Sequence, residues 1–179
     1  MRDLDPDVAQ PFIDAGAAWG ESPKAMADAC DIIITCLPSP AASAAVMEAD
    51  DGILAGLGAG RIWAEMSTTD EAEVTRLGAK VRATGADAVD CPVSGGCHRA
   101  ATGTIAIFAG CERSVFERML PVLTVLGRRV LHTGPLGSAS MLKVMTNYLA
   151  TANLITLSEA LVTCKATGLD LNTTYEAIR

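Results

Sequence analysis

Short apolar runs that alternate with helical patterns constrain the fold of this chain more than any other feature. The runs are six or seven residues long, and several of the segments between them begin with Ser, Thr, Asp or Pro and end with Gly. Such segments are typical of helices, and strands that alternate with helices are typical of a parallel sheet with crossover connections. We therefore predict an α/β fold, a doubly wound, Rossmann-like parallel sheet whose strands lie in 31–37, 61–66, 87–93, 104–110 and 128–134.

The pattern changes near Gly134. From Ser138 to Thr167 the sequence has neither a proline nor a strand-like run, which predicts a single helix of about thirty residues. We therefore predict two parts: an α/β domain over 1–134, and a segment over 135–179 that holds the long helix and begins an all-α domain.

Composition limits which binding partners and which cellular compartment we expect for this protein. The net charge is −7 and no basic run could follow a phosphate backbone, so we expect no nucleic acid. No apolar stretch is long enough to span a membrane, no signal peptide precedes the charged start, and six cysteines contain no C-x-x-C pair. These features predict a protein of the reducing cytoplasm, and no spacing of His, Cys, Asp and Glu resembles a metal site.

The start of the chain lacks a feature that a dinucleotide-binding sheet normally has. Such a sheet opens with a strand, a G-x-G-x-x-G turn and a helix, whereas this chain begins "MRDLDP". We therefore expect the sheet to be incomplete at its N-terminus. Asp3 lies where a second strand would end, and an acid there would accept a hydrogen bond from an adenosine ribose 2′-OH. The alternative is that Asp3 or Asp5 only caps the following helix.

The stretch "DCPVSGG" combines a strand with a glycine pair. It delivers Ser94, Gly95 and Gly96 to the carboxyl end of the sheet, where open α/β sheets bind ligands. Backbone N–H groups and a serine hydroxyl would suit a carboxylate. The alternative is a turn that only ends the strand.

The long helix carries a lysine among apolar residues. Lys143 is surrounded in sequence by methionine, leucine and valine, and Asn147 follows one helical turn later. A lysine in such surroundings either extends its amine to water or has a chemical role, because burial of an unpartnered ammonium is costly.

Five stretches match one known family in order. With them the chain resembles the β-hydroxyacid dehydrogenases, and the match covers nearly the whole chain. The stretches are "CLPSP" (36–40), "EMSTTD" (65–70), "DCPVSGG" (90–96), "GTIAIFAG" (103–110) and "GPLGSASMLKVMTN" (134–147).

The resemblance implies hydride transfer between NAD, with NADP as the alternative cofactor, and a small 3-hydroxy acid or semialdehyde such as 3-hydroxyisobutyrate. It implies that Lys143 is the catalytic acid and base, that Asn147 orients the substrate, and that Ser94, Gly95 and Gly96 bind its carboxylate. The cofactor contacts that it implies are Leu37, Pro38, Ser67 and Thr68, beside Asp3.

Two hypotheses of different class follow. The first is an NAD-dependent hydroxyacid dehydrogenase, seen here as part of a longer chain that supplies the Gly-rich turn and further helices. The second is a truncated, inactive paralogue that acts as an interaction module. The long helix has apolar residues on more than one face and here lacks the cover of later helices, so we expect a partner chain to cover it in a homodimer or a larger homo-oligomer.

Overall fold

Strands form in all five predicted runs. The computed structural model describes residues 1–178, and in it the third run is divided into two short strands around Pro92, which has no N–H to donate to a sheet. The strands are β1 (Ile32–Thr35), β2 (Ile62–Glu65), β3 (Asp87–Asp90), β4 (Val93–Ser94), β5 (Ala106–Gly110) and β6 (Arg129–Gly134).

Helices form where capping residues predict them. The Ser22, Ser39 and Asp70 side chains each accept a hydrogen bond from a backbone N–H in the first turn of the helix that follows. Two elements of less than two turns, a 3-10 turn (Ile53–Ala55) and the helix α5 (Cys97–Ala101), were not predicted, because they are too short to show a helical period. The helices are α1 (Pro6–Asp14), α2 (Pro23–Ala29), α3 (Pro40–Glu48), α4 (Glu71–Ala83), α5 (Cys97–Ala101), α6 (Arg113–Leu126), α7 (Ser138–Ala166) and α8 (Leu171–Ile178).

The sheet is rich in parallel pairs, as predicted, and it also contains antiparallel pairs of β5 with β3 and β4. Strands β1, β2 and β3 are parallel, but β5 runs antiparallel to β3 and β4, and β6 is parallel to β5. The connection 95–105 joins β4 and β5 as antiparallel neighbours, with Ser94 paired to Ala106. At the end of β3, Asp90 pairs with Gly110 of β5.

Helices cover both faces of the sheet, which confirms the doubly wound α/β class. On β2, the side chains of Ile62 and Ala64 belong to one apolar core together with residues of α6. The side chain of Trp63 points to the other face and belongs to a second core, which includes residues of α2, α3 and α4. This alternation follows from the two-residue period of a strand.

The chain divides into two compact units. The first is Met1–Lys143 and contains the sheet, α1 to α6 and the first turns of α7. The second begins at Val144 and contains the rest of α7 together with α8. The start of α7 belongs with the sheet because its backbone is hydrogen-bonded to β3, as described below. None of the helices in residues 1–178 combines the length and the apolar character that crossing a bilayer requires.

Candidate functional site

The carboxyl ends of β1 and β2 bring two of the predicted cofactor residues into contact. Thr35 pairs with Glu65 at the end of these strands, so the loops that follow are neighbours. The Leu37 N–H donates to the Ser67 hydroxyl over 2.7 Å. Pro38 and Thr68 follow on the same loops and are exposed, whereas Ser67 is buried.

A buried glutamate that the sequence analysis did not select supports these loops. Glu65 Oε1 accepts a hydrogen bond from the Ser67 N–H over 2.8 Å. Its other carboxylate oxygen is also buried and has no hydrogen-bond partner among the described residues. The Glu65 carboxylate therefore holds Ser67, which in turn holds Leu37.

These loops have the chemistry to contact a dinucleotide cofactor, and that role stays a prediction. Leu37 and Pro38 offer apolar surface at the carboxyl edge of parallel strands, where ligands of such sheets bind. The exposed Thr68 hydroxyl can donate to or accept from an amide group.

Asp3 precedes the N-terminus of α1 in the first unit. Its carboxylate accepts from the Asp5 N–H over 3.0 Å, and the Asp5 carboxylate caps α1 by accepting from the Asp7 N–H. Asp5 is thus the helix cap, and Asp3 is exposed. Among the described residues, no hydrogen bond joins Asp3 to the loops of Leu37 and Ser67.

The glycine loop after β4 has a backbone that only glycine adopts readily. Gly95 has φ 137° and Gly96 has φ 83°, both in the left-handed half of the map. A Cβ on Gly95 would also lie 2.8 Å from the Arg99 Cδ. Ser94 is half-buried and pairs with Ala106. Backbone geometry alone therefore accounts for both glycines, and their carboxylate-binding role stays a prediction.

Lys143 is buried within the first unit, with 9% of the residue exposed. Removal of the ammonium from water lowers the pKa of Lys143 below its ordinary value. Asn147 lies one turn further along α7, in the second unit, and is exposed.

Asp90 connects β3 to the start of α7. Its carboxylate is fully buried and accepts from two backbone donors of that helix start, Gly137 N–H over 2.8 Å and Ser140 N–H over 2.7 Å. Burial raises the pKa of Asp90, and the two donors oppose that rise. This role of Asp90 was not predicted, although "DCPVSGG" places an acid at the end of an apolar strand, where a buried carboxylate needs such partners.

The arrangement can position the amine of Lys143 and the loop of Ser94, Gly95 and Gly96 relative to one strand. Asp90 is four residues before Ser94 on the β3–β4 path, and Ser140 is three residues before Lys143 on α7. Among residues 1–178, no group of three or more His, Cys, Asp and Glu side chains could hold a metal ion.

Comparison with known proteins shows to which protein family this chain belongs. The family described as the NAD binding domain of 6-phosphogluconate dehydrogenase matches residues 1–134. The 2-(hydroxymethyl)glutarate dehydrogenase of Eubacterium barkeri is 36% identical over 163 residues, which are 91% of this chain and 54% of that protein. The mitochondrial 3-hydroxyisobutyrate dehydrogenase of Rattus norvegicus is 33% identical over 170 residues, 95% of this chain and 51% of that protein.

A solved structure agrees with the fold. The 3-hydroxyisobutyrate dehydrogenase of Mycobacterium tuberculosis, described with L-serine, has a TM-score of 0.90 and 28% identity, covering 98% of this chain and 60% of that one. The chain thus spans about half the length of the curated relatives it matches. With residues 1–134 forming an NAD-binding domain, the chain belongs to the 6-phosphogluconate dehydrogenase-like family, whose members similar to it include the β-hydroxyacid dehydrogenases.

Proposed function

We propose that this protein transfers a hydride between NAD and a small 3-hydroxy acid or its semialdehyde, with Lys143 as the general acid and base. The observation that carries the proposal is the burial of Lys143 just after a helix start that Asp90 joins to the strand leading to Ser94. Similarity to dehydrogenases of hydroxy acids supports the substrate class, with 3-hydroxyisobutyrate as the first compound to test.

The proton chemistry follows from the lysine. NAD, when bound, accepts the hydride in oxidation and its reduced form supplies it in reduction. The neutral amine of Lys143 takes the proton of the substrate hydroxyl as the alcohol is oxidised. In the reverse direction the Lys143 ammonium returns that proton to the oxygen. Burial favours the neutral amine, which brings the two protonation states closer in population at working pH.

The remaining predicted site residues would bind and orient the substrate and the cofactor. The N–H groups of Gly95 and Gly96, with the Ser94 hydroxyl, would hold the substrate carboxylate. Asn147 would orient the substrate hydroxyl. Because the Ser67 hydroxyl already accepts from Leu37, we assign Ser67 to the support of the cofactor loop. Pro38 and Thr68 would contact the cofactor directly.

Cofactor preference would depend on Asp3. A carboxylate there accepts from a ribose 2′-OH and repels a 2′-phosphate, so we expect NAD to be preferred over NADP. The Arg2 guanidinium would offset part of this repulsion, although its donation to the Gly20 and Glu21 carbonyls over 3.0 and 2.8 Å directs it away from a direct contact with a phosphate.

We also propose a homo-oligomer in the cytoplasm. All six cysteines are unpaired thiols, as expected in a reducing compartment.

The test measures steady-state kinetics of Lys143→Ala and Lys143→Arg in the protein as its gene encodes it, with NAD or NADP and 3-hydroxyisobutyrate. Loss of a general acid or base typically costs about 10² to 10⁴-fold, and we expect kcat to fall in that range for both variants. Arginine should not rescue, because a guanidinium stays protonated. Lys165→Ala, at an exposed lysine in the last turn of α7, is the matched control and should keep normal kcat.

Two results would contradict the proposal. Near-normal kcat in Lys143→Arg would exclude Lys143 as the base. Absence of turnover by the unsubstituted protein with NAD and a panel of small 3-hydroxy acids would favour the inactive interaction module instead.

A further inference from the structure

The N-terminus of α7, the helix that carries Lys143, is capped by a side chain from another element. The first N–H groups of a helix have no partner within the helix itself, and most helices satisfy one of them with a neighbouring Ser, Thr, Asp or Asn. In α7, Asp90 from the end of β3 accepts from both Gly137 and Ser140. These partners are 47 and 50 residues away in the sequence, so the cap also fixes the helix to the sheet.

The space around this carboxylate is closed. A Cβ on Gly110, which pairs with Asp90 across the sheet, would collide with Asp90 Oδ1 and would lie 2.8 Å from the Pro135 carbonyl oxygen. The hydroxyls of Thr133 and Ser138 are joined over 2.7 Å at the same junction. The Asp90 carboxylate therefore has little room to take a second position.

We propose that Asp90 is a positioning residue for the reaction, which fixes the amine of Lys143 by holding the first turn of α7 against the end of β3. The proposal rests on the proposed function, since it assumes that Lys143 transfers the proton. Ser140, whose N–H donates a hydrogen bond to Asp90, is three residues before Lys143, which is a rise of about 4.5 Å along a helix axis. A shift of the first turn therefore moves the lysine with it.

Only a carboxylate satisfies both donors. Asp90 presents one oxygen to each N–H, whereas asparagine of the same size presents one oxygen and one NH₂ group. In Asp90→Asn one of the two N–H groups would face another donor. We expect the first turn of α7 to move or to open, while the apolar strand surface stays unchanged.

The test is a double-mutant cycle on kcat with Asp90→Asn and Lys143→Ala. A misplacement of about 1 Å can cost about 10²-fold in rate, so Asp90→Asn should lower kcat by about 10 to 100-fold with KM for NAD nearly unchanged. If Asp90 acts through Lys143, Asp90→Asn should lower kcat no more than about twofold in the Lys143→Ala background. Ser138→Ala, which removes the hydroxyl contact at the same junction, is the matched control and should change kcat by less than about threefold.

The outcomes separate this inference from the proposed function. Normal kcat in Lys143→Ala would overturn the role of Lys143. A large effect of Lys143→Ala together with normal kcat in Asp90→Asn, or with the full Asp90→Asn loss persisting in the double variant, would overturn the positioning role alone. A purely structural role predicts that persistent, additive loss.

Amide hydrogen exchange tests the same contact without any variant and without activity. In the unsubstituted protein the Gly137 and Ser140 N–H groups should exchange as slowly as those of the interior strand β2, because both are held by a buried carboxylate. Exchange at the rate of solvent-exposed amides would overturn the proposal, even if Asp90→Asn fails to fold.

Discussion

At the scale of single residues, burial determines what Lys143 can do. An exposed lysine is an ammonium at neutral pH, whereas desolvation disfavours that charge and lowers the pKa from its ordinary value of 10.5. Lys143 could be selected from the sequence only through its resemblance to a family motif, because apolar neighbours in sequence do not tell whether a long side chain reaches water. Its burial is a result of tertiary packing.

The pH dependence of activity should show this shift. Oxidation requires the neutral amine, so kcat for oxidation should rise as pH rises through the pKa of Lys143, with its midpoint below 10.5. Reduction requires the ammonium, so its kcat should fall over the same interval. Rates measured in both directions between about pH 6 and pH 10 test this. An oxidation rate that falls with rising pH would contradict the assignment.

At the scale of elements, short connections determine how the sheet and its helices fit together. The 3-10 turn Ile53–Ala55 ends at Gly56, which lies directly against α2. A Cβ on Gly56 would collide with the Lys24 carbonyl oxygen and would lie 3.1 Å from the Asp28 backbone nitrogen. Arg61 also donates to the Gly56 carbonyl, and to the Asp28 carbonyl over 2.6 Å. The sequence predicted neither this turn nor the contact, because a three-residue element has no period to detect.

Gly56→Ala should therefore destabilise the protein. Backbone atoms of α2 cannot rotate away as a side chain could, and overpacking of this kind costs about 1–3 kcal/mol in the free energy of unfolding. Gly58→Ala is the matched control, since a Cβ there meets no atom within 4 Å, and should change stability by less than about 1 kcal/mol. Urea unfolding of the two variants makes the comparison. Equal midpoints would show that α2 can move away from the turn.

At the scale of the whole molecule, the second unit exposes many apolar side chains. In its part of α7, Leu149, Leu154, Ile155 and Val162 are more than half exposed. An exposed apolar surface of this kind usually indicates an interaction site, which supports the proposal of a homo-oligomer.

Charge placed on this surface should weaken self-association. We expect the unsubstituted protein to be a dimer or larger at micromolar concentration by light scattering, and Leu154→Glu with Ile155→Glu to shift it toward monomer, because a buried unpaired carboxylate is costly. Leu154→Met with Ile155→Val keeps the surface apolar and should leave the mass unchanged. A monomer in the unsubstituted protein would contradict the proposal.

The sequence by itself determined the strand regions, the longer helices and the family. Apolar runs, capping residues and glycines are local signals, so they located all five strand regions, the helix α7 and the motifs that contain Lys143 and Ser94. The tertiary structure decided what depends on contacts between distant residues: the antiparallel direction of β5, the Glu65 support of Ser67, and the two Asp90 hydrogen bonds across 47 and 50 residues. These features could not be predicted because a periodic pattern fixes which face of an element is buried but not which partner covers it.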